Sequence, residues 1–255
     1  NIDLIMVGLN GGNIAVTTVS LSSSFIQTIL TIIVSSGLSV GILALISRYR
    51  GEGKIKKLQP LINLSILMAI VVAAVLYLFL SVLKGRLLVL SGAKGEIFYY
   101  CTINMRIALV ASAFQCLLII FSSIYIGLGN TKQPFIANII VFASKLILGF
   151  LLVLPSNNIK TIIENAAISY TAAFFLGVLY LAFHYVFYLG KEVSLDEMFF
   201  VNKVDMVRLI KLSVPASLEE AFYAISRLLG NIIILYTGSV NYAANEIANS
   251  VENIS

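Results

Sequence analysis

Charged side chains inside long apolar stretches are the residues of this sequence with the clearest chemical potential. If those stretches cross a membrane, an ionised group near the bilayer centre costs at least about 2.5–3.5 kcal/mol, so it is usually paired or functional. The residues in this position are Asp3, Arg106, Lys145, Glu219, Glu220 and Arg227. Their chemistry would be charge pairing or the reversible binding of a proton, a cation or a small polar molecule.

Lys145 and Asp3 are the deepest of these charges. Lys145 follows Phe135, the start of its apolar stretch, by ten residues, which is about 15 Å and half of a 30 Å hydrocarbon core. Asp3 lies about 14 Å before Gly12, where the first helix is expected to end. The similar depths predict a carboxylate–ammonium pair, which either functions chemically or joins two helices structurally.

The remaining charges allow more than one interpretation. Arg106 either extends its side chain to the outer interface or contributes to a site. Glu219 and Glu220 follow Pro215 and are expected about 11 Å from the inner end of their span, where they would carry protons or pair helices. Glu220 and Arg227 lie two turns apart on one helix face.

Neither a metal-binding nor a catalytic signature is present in the sequence. Cys101 and Cys116 are 15 residues apart in apolar stretches, so we expect packing roles for both, and His184, the only histidine, is expected to be a structural or interfacial residue. The segment 127–132 lacks the spacing of a phosphate-binding loop. We therefore predict no enzyme and no cofactor.

The composition requires that membrane-spanning helices position these residues. Of the 255 residues, 59% are hydrophobic and 11% are charged, whereas soluble domains carry roughly 25% charged residues. The mean hydropathy is +0.98. These values exclude a soluble enzyme, a disordered chain and a fibrous protein, and they predict an all-α polytopic membrane protein. The net charge of +5 is scattered between apolar stretches, which argues against nucleic acid as a partner.

Hydropathy divides the sequence into apolar spans separated by polar connectors. The predicted spans are 1–10, 14–46, 61–83, 97–128, 135–154, 161–189, 212–236 and a last one from about 241. We expect the first and last spans to be truncated pieces of a longer protein. The predicted units are a six-helix lobe over 1–190, a connector over 191–211 that ends in a short amphipathic helix, and the start of a second lobe over 212–255. A weak internal similarity relates Ala15 and Ser22 to Ala243 and Ser250.

Cationic residues alternate between the two sides of the predicted membrane. Ten of the 17 Lys and Arg residues lie in 48–57, at Lys132 and in 190–211, and the opposite connectors contain Lys84, Arg86, Lys94 and Lys160. Cytoplasmic loops carry the excess of Lys and Arg. The connectors with more Lys and Arg are therefore predicted to be cytoplasmic. This orientation also places the N-terminus of the parent protein in the cytoplasm. We predict a multi-pass protein of the plasma (inner) membrane.

Four stretches of this sequence resemble the multidrug and toxic compound extrusion (MATE) family. The third is the most specific, because it is similar to the family's Gly-Asp-Thr-Lys-x-Pro turn with Asn130 in place of the Asp. The stretches are DLIMVG at 3–8, GLSVG at 37–41 with SRYRGEG at 47–53, GNTKQP at 129–134, and Pro215 with Glu219.

The resemblance implies a fold of two six-helix lobes around a central cavity, of which this chain would be the N-terminal lobe and the first one to two helices of the second. It also implies a monomeric, secondary active transporter that exports drugs or other small organic compounds by alternating access in exchange for Na⁺ or H⁺. In one prokaryotic branch a first-helix Asp, matched by Asp3, helps to bind the coupling cation.

The same branch places an Asn and an Asp, four residues apart, in its fifth helix. Here those positions hold Lys145 and Gly149. Our hypothesis is that the Lys145 ammonium neutralises Asp3 where Na⁺ or H⁺ would otherwise do so. The protein would then use another coupling site or favour anionic cargo.

Two other functions remain open at this point. A lipid-linked oligosaccharide or lipid flippase of the same superfamily would share the two-lobed fold, and a strongly basic cavity would favour it. An intramembrane enzyme would need paired groups at one depth, which only Asp3 and Lys145 provide.

Overall fold

The computed structural model describes the backbone of residues 2–90, 93, 95–189 and 203–236, and the side chains of 4–54, 57–89, 93, 95–187 and 203–226. The described chain is all-helical, with no strand in these ranges. This confirms the predicted fold class. The helices are α1 (Ile2–Leu30), α2 (Ser39–Gly51), α3 (Ile55–Leu90), α4 (Gly95–Gly127), α5 (Lys132–Leu148), α6 (Ile159–His184) and α7 (Lys203–Tyr236).

Three of the helices continue into a wider π-helical turn. The first π segment (Thr31–Leu38) joins α1 to α2, the second (Gly149–Val153) extends α5, and the third (Tyr185–Leu189) extends α6. Such turns inside helices are rare and frequently lie near functional sites. The first π segment faces α7, and the second faces the start of α1.

A sharp bend at Gly12 divides α1 into two arms. Gly12 has φ 61° and ψ −164°, a conformation that a residue with a side chain rarely adopts. The first arm (2–11) therefore ends where the sequence predicts, and the second arm (13–30) continues through the first π segment into α2. Asn10 fixes the bend, because its Nδ2 donates a 2.6 Å hydrogen bond to the Leu154 carbonyl oxygen.

Two helices extend well beyond the spans that hydropathy predicts. Helix α3 covers Ile55–Leu90 instead of 61–83, so Lys84 and Arg86 lie on a helix and not in a connector. Helix α7 begins at Lys203, so the expected short amphipathic helix is its first part. Hydropathy detects only the apolar window, whereas backbone hydrogen bonding continues into the polar residues on either side. Residues 190–202 and the predicted eighth span lie outside the described residues, and the division into lobes stays a prediction.

Five helical segments of the described chain are long and apolar enough to cross a bilayer. The first covers 48 residues and contains both the second arm of α1 and α2, and the others follow α3, α4, α5 and α6. Helix α7 is not among the five within the described residues, because Lys, Arg, Asp and Glu recur along it. The predicted seventh span is thus helical but more polar than the others.

Helix α4 is the centre of the bundle. It packs against α1, α2, α3, α5 and α6, and its buried residues include Met105, Leu109 and Tyr125. Cys101 and Cys116 are free thiols buried on the same helix, so the packing role predicted for them is confirmed. The Tyr125 hydroxyl lies 2.8 Å from Nδ1 of His184, which gives the histidine a structural partner on α6.

Candidate functional site

A cavity of about 490 Å³ lies between α1, α4, α5 and α6. This volume is in the range of sites that hold drug-sized molecules, about 300–1,000 Å³. Apolar residues line much of it, with a band of hydroxyl, amide and amino groups among them. The polar lining residues are Ser20, Ser23, Ser24, Gln27, Asn104, Lys145, Ser169 and Tyr170.

The cavity lies towards the predicted outer side of the membrane. The α6 residues that line it, from Ala166 to Tyr170, come early in a helix that begins at Ile159, and the α5 residues Lys145 and Gly149 come at the end of theirs. Both positions are near the α5–α6 connection, which carries few cations and is predicted to be extracellular. The cavity is thus displaced from the cation-rich end of the bundle.

Lys145 is the one lining residue with a formal charge among the described side chains. It lies 13 residues after the start of α5, about 20 Å along the helix. Its Nζ is 4.6 Å from the centroid of the Tyr170 ring, a distance at which a cation is attracted to the aromatic face. The side chain of Asp3 lies outside the described residues, so the predicted Asp3–Lys145 pair remains a prediction, although Leu4 and Met6 of the same arm reach the cavity.

Gly149 begins the second π segment and lies directly against the first arm of α1. A Cβ added at this position would be 2.7 Å from Sδ of Met6, closer than such atoms normally approach. The position at which the resemblance implies an Asp therefore packs against a methionine side chain. A side chain at residue 149 would therefore have to displace the flexible end of Met6.

Gln27, Gln115 and Tyr170 form a hydrogen-bonded cluster at the cavity wall. The two amides bond reciprocally at 3.0 and 3.1 Å. Nε2 of Gln27 also donates to the Tyr170 hydroxyl at 2.6 Å, and that hydroxyl donates to Oε1 of Gln115 at 3.3 Å. Each side chain is a polar residue in an otherwise apolar stretch, which is the sequence signal that could have identified the cluster.

A second polar contact joins α1 to α4 beside the cavity. Nδ2 of Asn104 donates to Oγ of Ser22 at 2.5 Å, and both residues are buried. One turn earlier, Oγ1 of Thr18 is buried without a hydrogen-bond partner among the described residues. Asn104 lines the cavity, so this contact also orients a group that a bound molecule could reach.

Among the described side chains, Arg106, Glu219 and Glu220 do not line this cavity. Arg106 is exposed and is not one of its lining residues, as expected for a side chain that extends to the interface. Glu219 is exposed, and Glu220 accepts a 3.1 Å hydrogen bond from Ser36 of the first π segment. The side chain of Arg227 lies outside the described residues.

The two glutamates lie further along α7 than along the predicted apolar span. Glu220 follows the observed start of α7 by 17 residues, about 25 Å along the helix, whereas the predicted 11 Å is counted from residue 212, where the apolar span begins. The depth of the glutamates in a membrane stays a prediction, because the polar beginning of α7 precedes that span.

The MatE family model matches residues 1–151 of this chain, whereas no curated protein matches it. The chain is similar to the outward-facing conformation of a multidrug resistance MATE family transporter of the MOP superfamily, with a TM-score of 0.87, 17% identity, and coverage of 99% of this chain and 55% of that chain.

Two further solved structures have the same fold. A MATE transporter of Vibrio cholerae in the bent form gives a TM-score of 0.83 with 21% identity, covering 98% of this chain and 56% of that one. A MOP superfamily transporter from Pyrococcus furiosus, described as having a binding pocket of reverse polarity, gives 0.83 with 17% identity, covering 98% and 54%. This chain spans about half the length of these structures. Since the family model covers more than half of the sequence, the chain belongs to the MATE family of membrane proteins.

Proposed function

We propose that this chain forms part of a secondary active transporter that exports drugs or other small organic compounds by alternating access, in exchange for Na⁺ or H⁺. The observation that carries the proposal is the cavity between α1, α4, α5 and α6. Exposing serine, amide and ammonium groups inside apolar helices is costly in a membrane. Polar groups are expected there if they bind a partly polar molecule, because their contacts with that molecule offset the cost.

Lys145 and Tyr170 are the residues that we assign to substrate or ion contact within this lobe. The ammonium and the aromatic ring offer one cationic and one apolar surface, and the cluster of Gln27 and Gln115 offers hydrogen bonds beside them. Asp3 is assigned to the ion pathway: the resemblance implies that it helps to bind the coupling cation, and our hypothesis is that the Lys145 ammonium takes the place of that cation. Arg106, Glu219, Glu220 and Arg227 are retained as candidates for other parts of the ion pathway.

The exporter is favoured over a flippase by the family match and by the GNTKQP turn at 129–134. The family is one of transporters, so a catalytic role is not proposed. We further propose a plasma membrane location with a cytoplasmic N-terminus of the parent protein, from the charge distribution, and a monomeric transporter.

The test is the efflux of a cationic fluorescent dye from cells that lack their own exporters. The full-length parent protein is expressed as the wild type, as Asp3→Asn and as Glu164→Gln. Glu164 is a matched control because it pairs with Lys160 at 3.9 Å on the partly exposed start of α6, away from the cavity lining. We expect efflux in the wild type and the control, and at least a tenfold loss in Asp3→Asn.

Absence of dye efflux from a well-expressed wild type would contradict multidrug export. Efflux by Asp3→Asn at the wild-type rate would instead show that Asp3 is not part of the coupling site. The proposal of export itself would stand. The two results can be told apart, because the first is measured on the wild type and the second on the Asp3→Asn variant.

A further inference from the structure

Helix α7 approaches the first π segment and α2 through small residues on both sides. Gly37 and Gly41 are four residues apart and lie against Ser217 and Ser213, which are also four apart. A Cβ added at either glycine would collide with the facing serine. Rows of small residues of this kind allow two helices to approach closely inside a membrane, so α7 and α2 meet without interlocking large side chains.

Three polar side chains form a hydrogen-bonded cluster at one end of the same contact between α2 and α7. The hydroxyl of Tyr49 on α2 donates a 2.5 Å hydrogen bond to Oδ1 of Asp205 on α7. Nη1 of Arg208 donates to the same Tyr49 hydroxyl at 2.7 Å and lies 3.5 Å from Oδ1 of Asp205. The tyrosine oxygen is therefore both a donor and an acceptor across the contact between the two helices.

Burial makes this cluster different from an ordinary surface ion pair. Tyr49 and Asp205 are each 3% exposed, although the Arg208 side chain remains half exposed. A buried carboxylate requires hydrogen bonds and a nearby cation, and Tyr49 and Arg208 supply both here. Separation of α7 from α2 would return Asp205 to water and remove the tyrosine from its two partners.

The Tyr49–Asp205–Arg208 cluster lies where it could keep the cytoplasmic side of the bundle closed. It lies where α2 ends and α7 begins, in the connectors predicted to be cytoplasmic. The polar cavity is at the other, predicted outer, side of the bundle. Asp205 and Arg208 belong to the predicted connector, and α7 continues from residue 212 into the predicted second lobe, so the cluster and the small-residue contact of Ser213 and Ser217 together tie that lobe to the first.

We propose that Tyr49, Asp205 and Arg208 form a latch that holds the cytoplasmic side closed while the cavity is available from the outside. Opening towards the cytoplasm requires the latch to break and the small-residue contact between α2 and α7 to separate. The inference rests on the proposed function, because it assigns α7 to a lobe that moves during alternating access.

The experiment measures whether a buried interface residue becomes accessible from the cytoplasmic side. The full-length protein carries Ser213→Cys in a background without other reactive cysteines, in inside-out vesicles, and a membrane-impermeant maleimide is added outside. Ser213 is buried opposite Gly41, so its replacement reports separation of α7 from α2. Labelling rates are compared for this reporter alone and with Tyr49→Phe, with Asp205→Asn, and with both.

Glu52→Gln is the matched control at the same end of the molecule. Glu52 accepts hydrogen bonds from Arg48 and Lys54, and these contacts lower its pKa to about 2. The control therefore removes an ionised carboxylate from an exposed network that does not reach α7 in the described residues.

Loss of a hydrogen bond to a charged group changes an equilibrium by about tenfold or more. We expect at least about tenfold faster labelling in Tyr49→Phe and in Asp205→Asn. The double variant should show no further increase of that size, because both changes break one network. Glu52→Gln should label at the rate of the reporter alone.

Unchanged labelling in Tyr49→Phe, with normal expression and a thiol that reacts after denaturation, would overturn the latch. Equal acceleration in Glu52→Gln would also overturn it, since the effect would then be general to that surface. The readout does not need transport. If the protein exports dye but the latch variants do not label faster, the latch alone is rejected. If the latch variants label faster but the protein exports no dye, the proposed export alone is rejected.

Discussion

Gly41 on α2 and Ser213 on α7 face each other so closely that a Cβ at residue 41 would collide with the serine side chain and lie 3.3 Å from the Leu209 carbonyl oxygen. The backbone contact is as important as the serine, because a backbone atom cannot move aside as a flexible side chain can. The close approach of the two helices thus depends on the absence of one methyl group.

Gly41→Ala is accordingly expected to destabilise the protein. Alanine normally favours a helix over glycine by about 1 kcal/mol, but overpacking a tight contact costs about 1–3 kcal/mol. We expect a net loss of stability and a lower melting temperature of the purified full-length protein. The matched control is Gly85→Ala on α3, where no atom would contact the added Cβ, so its melting temperature should rise or stay constant. Equal shifts in the two variants would show that the contact with α7 has no energetic consequence.

The sequence predicts the helical fold well, because apolar windows of bilayer length are a strong signal. The predicted span 97–128 lies within two residues of the ends of α4, and the predicted end of the first helix near Gly12 coincides with the observed bend. The polar parts of α3 and α7 were missed, because helices continue beyond the apolar window that hydropathy measures.

The site was only partly predictable for a different reason. Lys145 could be recognised because a lysine in an apolar helix is conspicuous in a single sequence. The partners of Gln27 or Tyr49 could not be recognised, because their hydrogen bonds join residues 88 and 156 positions away. Gly37 and Gly41 were noticed as a motif, yet their pairing with two serines on α7 depends on how the helices pack.

Thr18 and Ser22 offer a test of hydrogen bonding in the core beside the cavity. Oγ of Ser22 accepts from Asn104 and donates to the Thr18 carbonyl oxygen at 2.6 Å, whereas Oγ1 of Thr18 has no partner among the described residues. An unpaired buried polar group costs about 1–3 kcal/mol. Thr18→Val, which keeps the side-chain shape, should therefore preserve or raise the melting temperature.

Ser22→Ala should lower the melting temperature by an amount equivalent to about 1–3 kcal/mol, because it leaves the buried Asn104 amide without its acceptor. The two changes lie one turn apart on the same helix face and each removes one hydroxyl. A larger loss in Thr18→Val than in Ser22→Ala would contradict this assignment of hydrogen bonds.

Lys145→Asn tests whether the ammonium replaces a coupling cation. If Lys145 neutralises Asp3, removal of its charge should create a need for Na⁺ or H⁺ at that position, and transport should become more dependent on the concentration of one of them. The measurement is dye efflux from proteoliposomes over a series of Na⁺ concentrations and of pH values. Lys160→Asn, at the exposed start of α6, is the control. Identical cation dependence in Lys145→Asn and the wild type would reject the hypothesis.

Two substitutions of Tyr170 distinguish the contribution of its aromatic ring to dye binding from the contribution of its hydroxyl. Tyr170→Phe removes the contacts to Gln27 and Gln115 but keeps the ring that lies 4.6 Å from Nζ of Lys145. Tyr170→Leu removes both, and with the ring it removes the aromatic face that a cationic dye would contact, an interaction worth about 0.5–2 kcal/mol. The dye concentration for half-maximal efflux should therefore rise further in the Leu variant, by about two- to thirtyfold over the Phe variant.

The control for this pair is Tyr180→Phe on the same helix. It removes a hydroxyl that donates to Gln133 at 2.5 Å and does not line the cavity, so half-maximal efflux should occur at the wild-type dye concentration. Equal values for the Phe and Leu variants at residue 170 would show that the ring contributes nothing to binding. The contact with Lys145 would then serve only to position the lysine, because a bound dye that used the aromatic surface would distinguish the two variants.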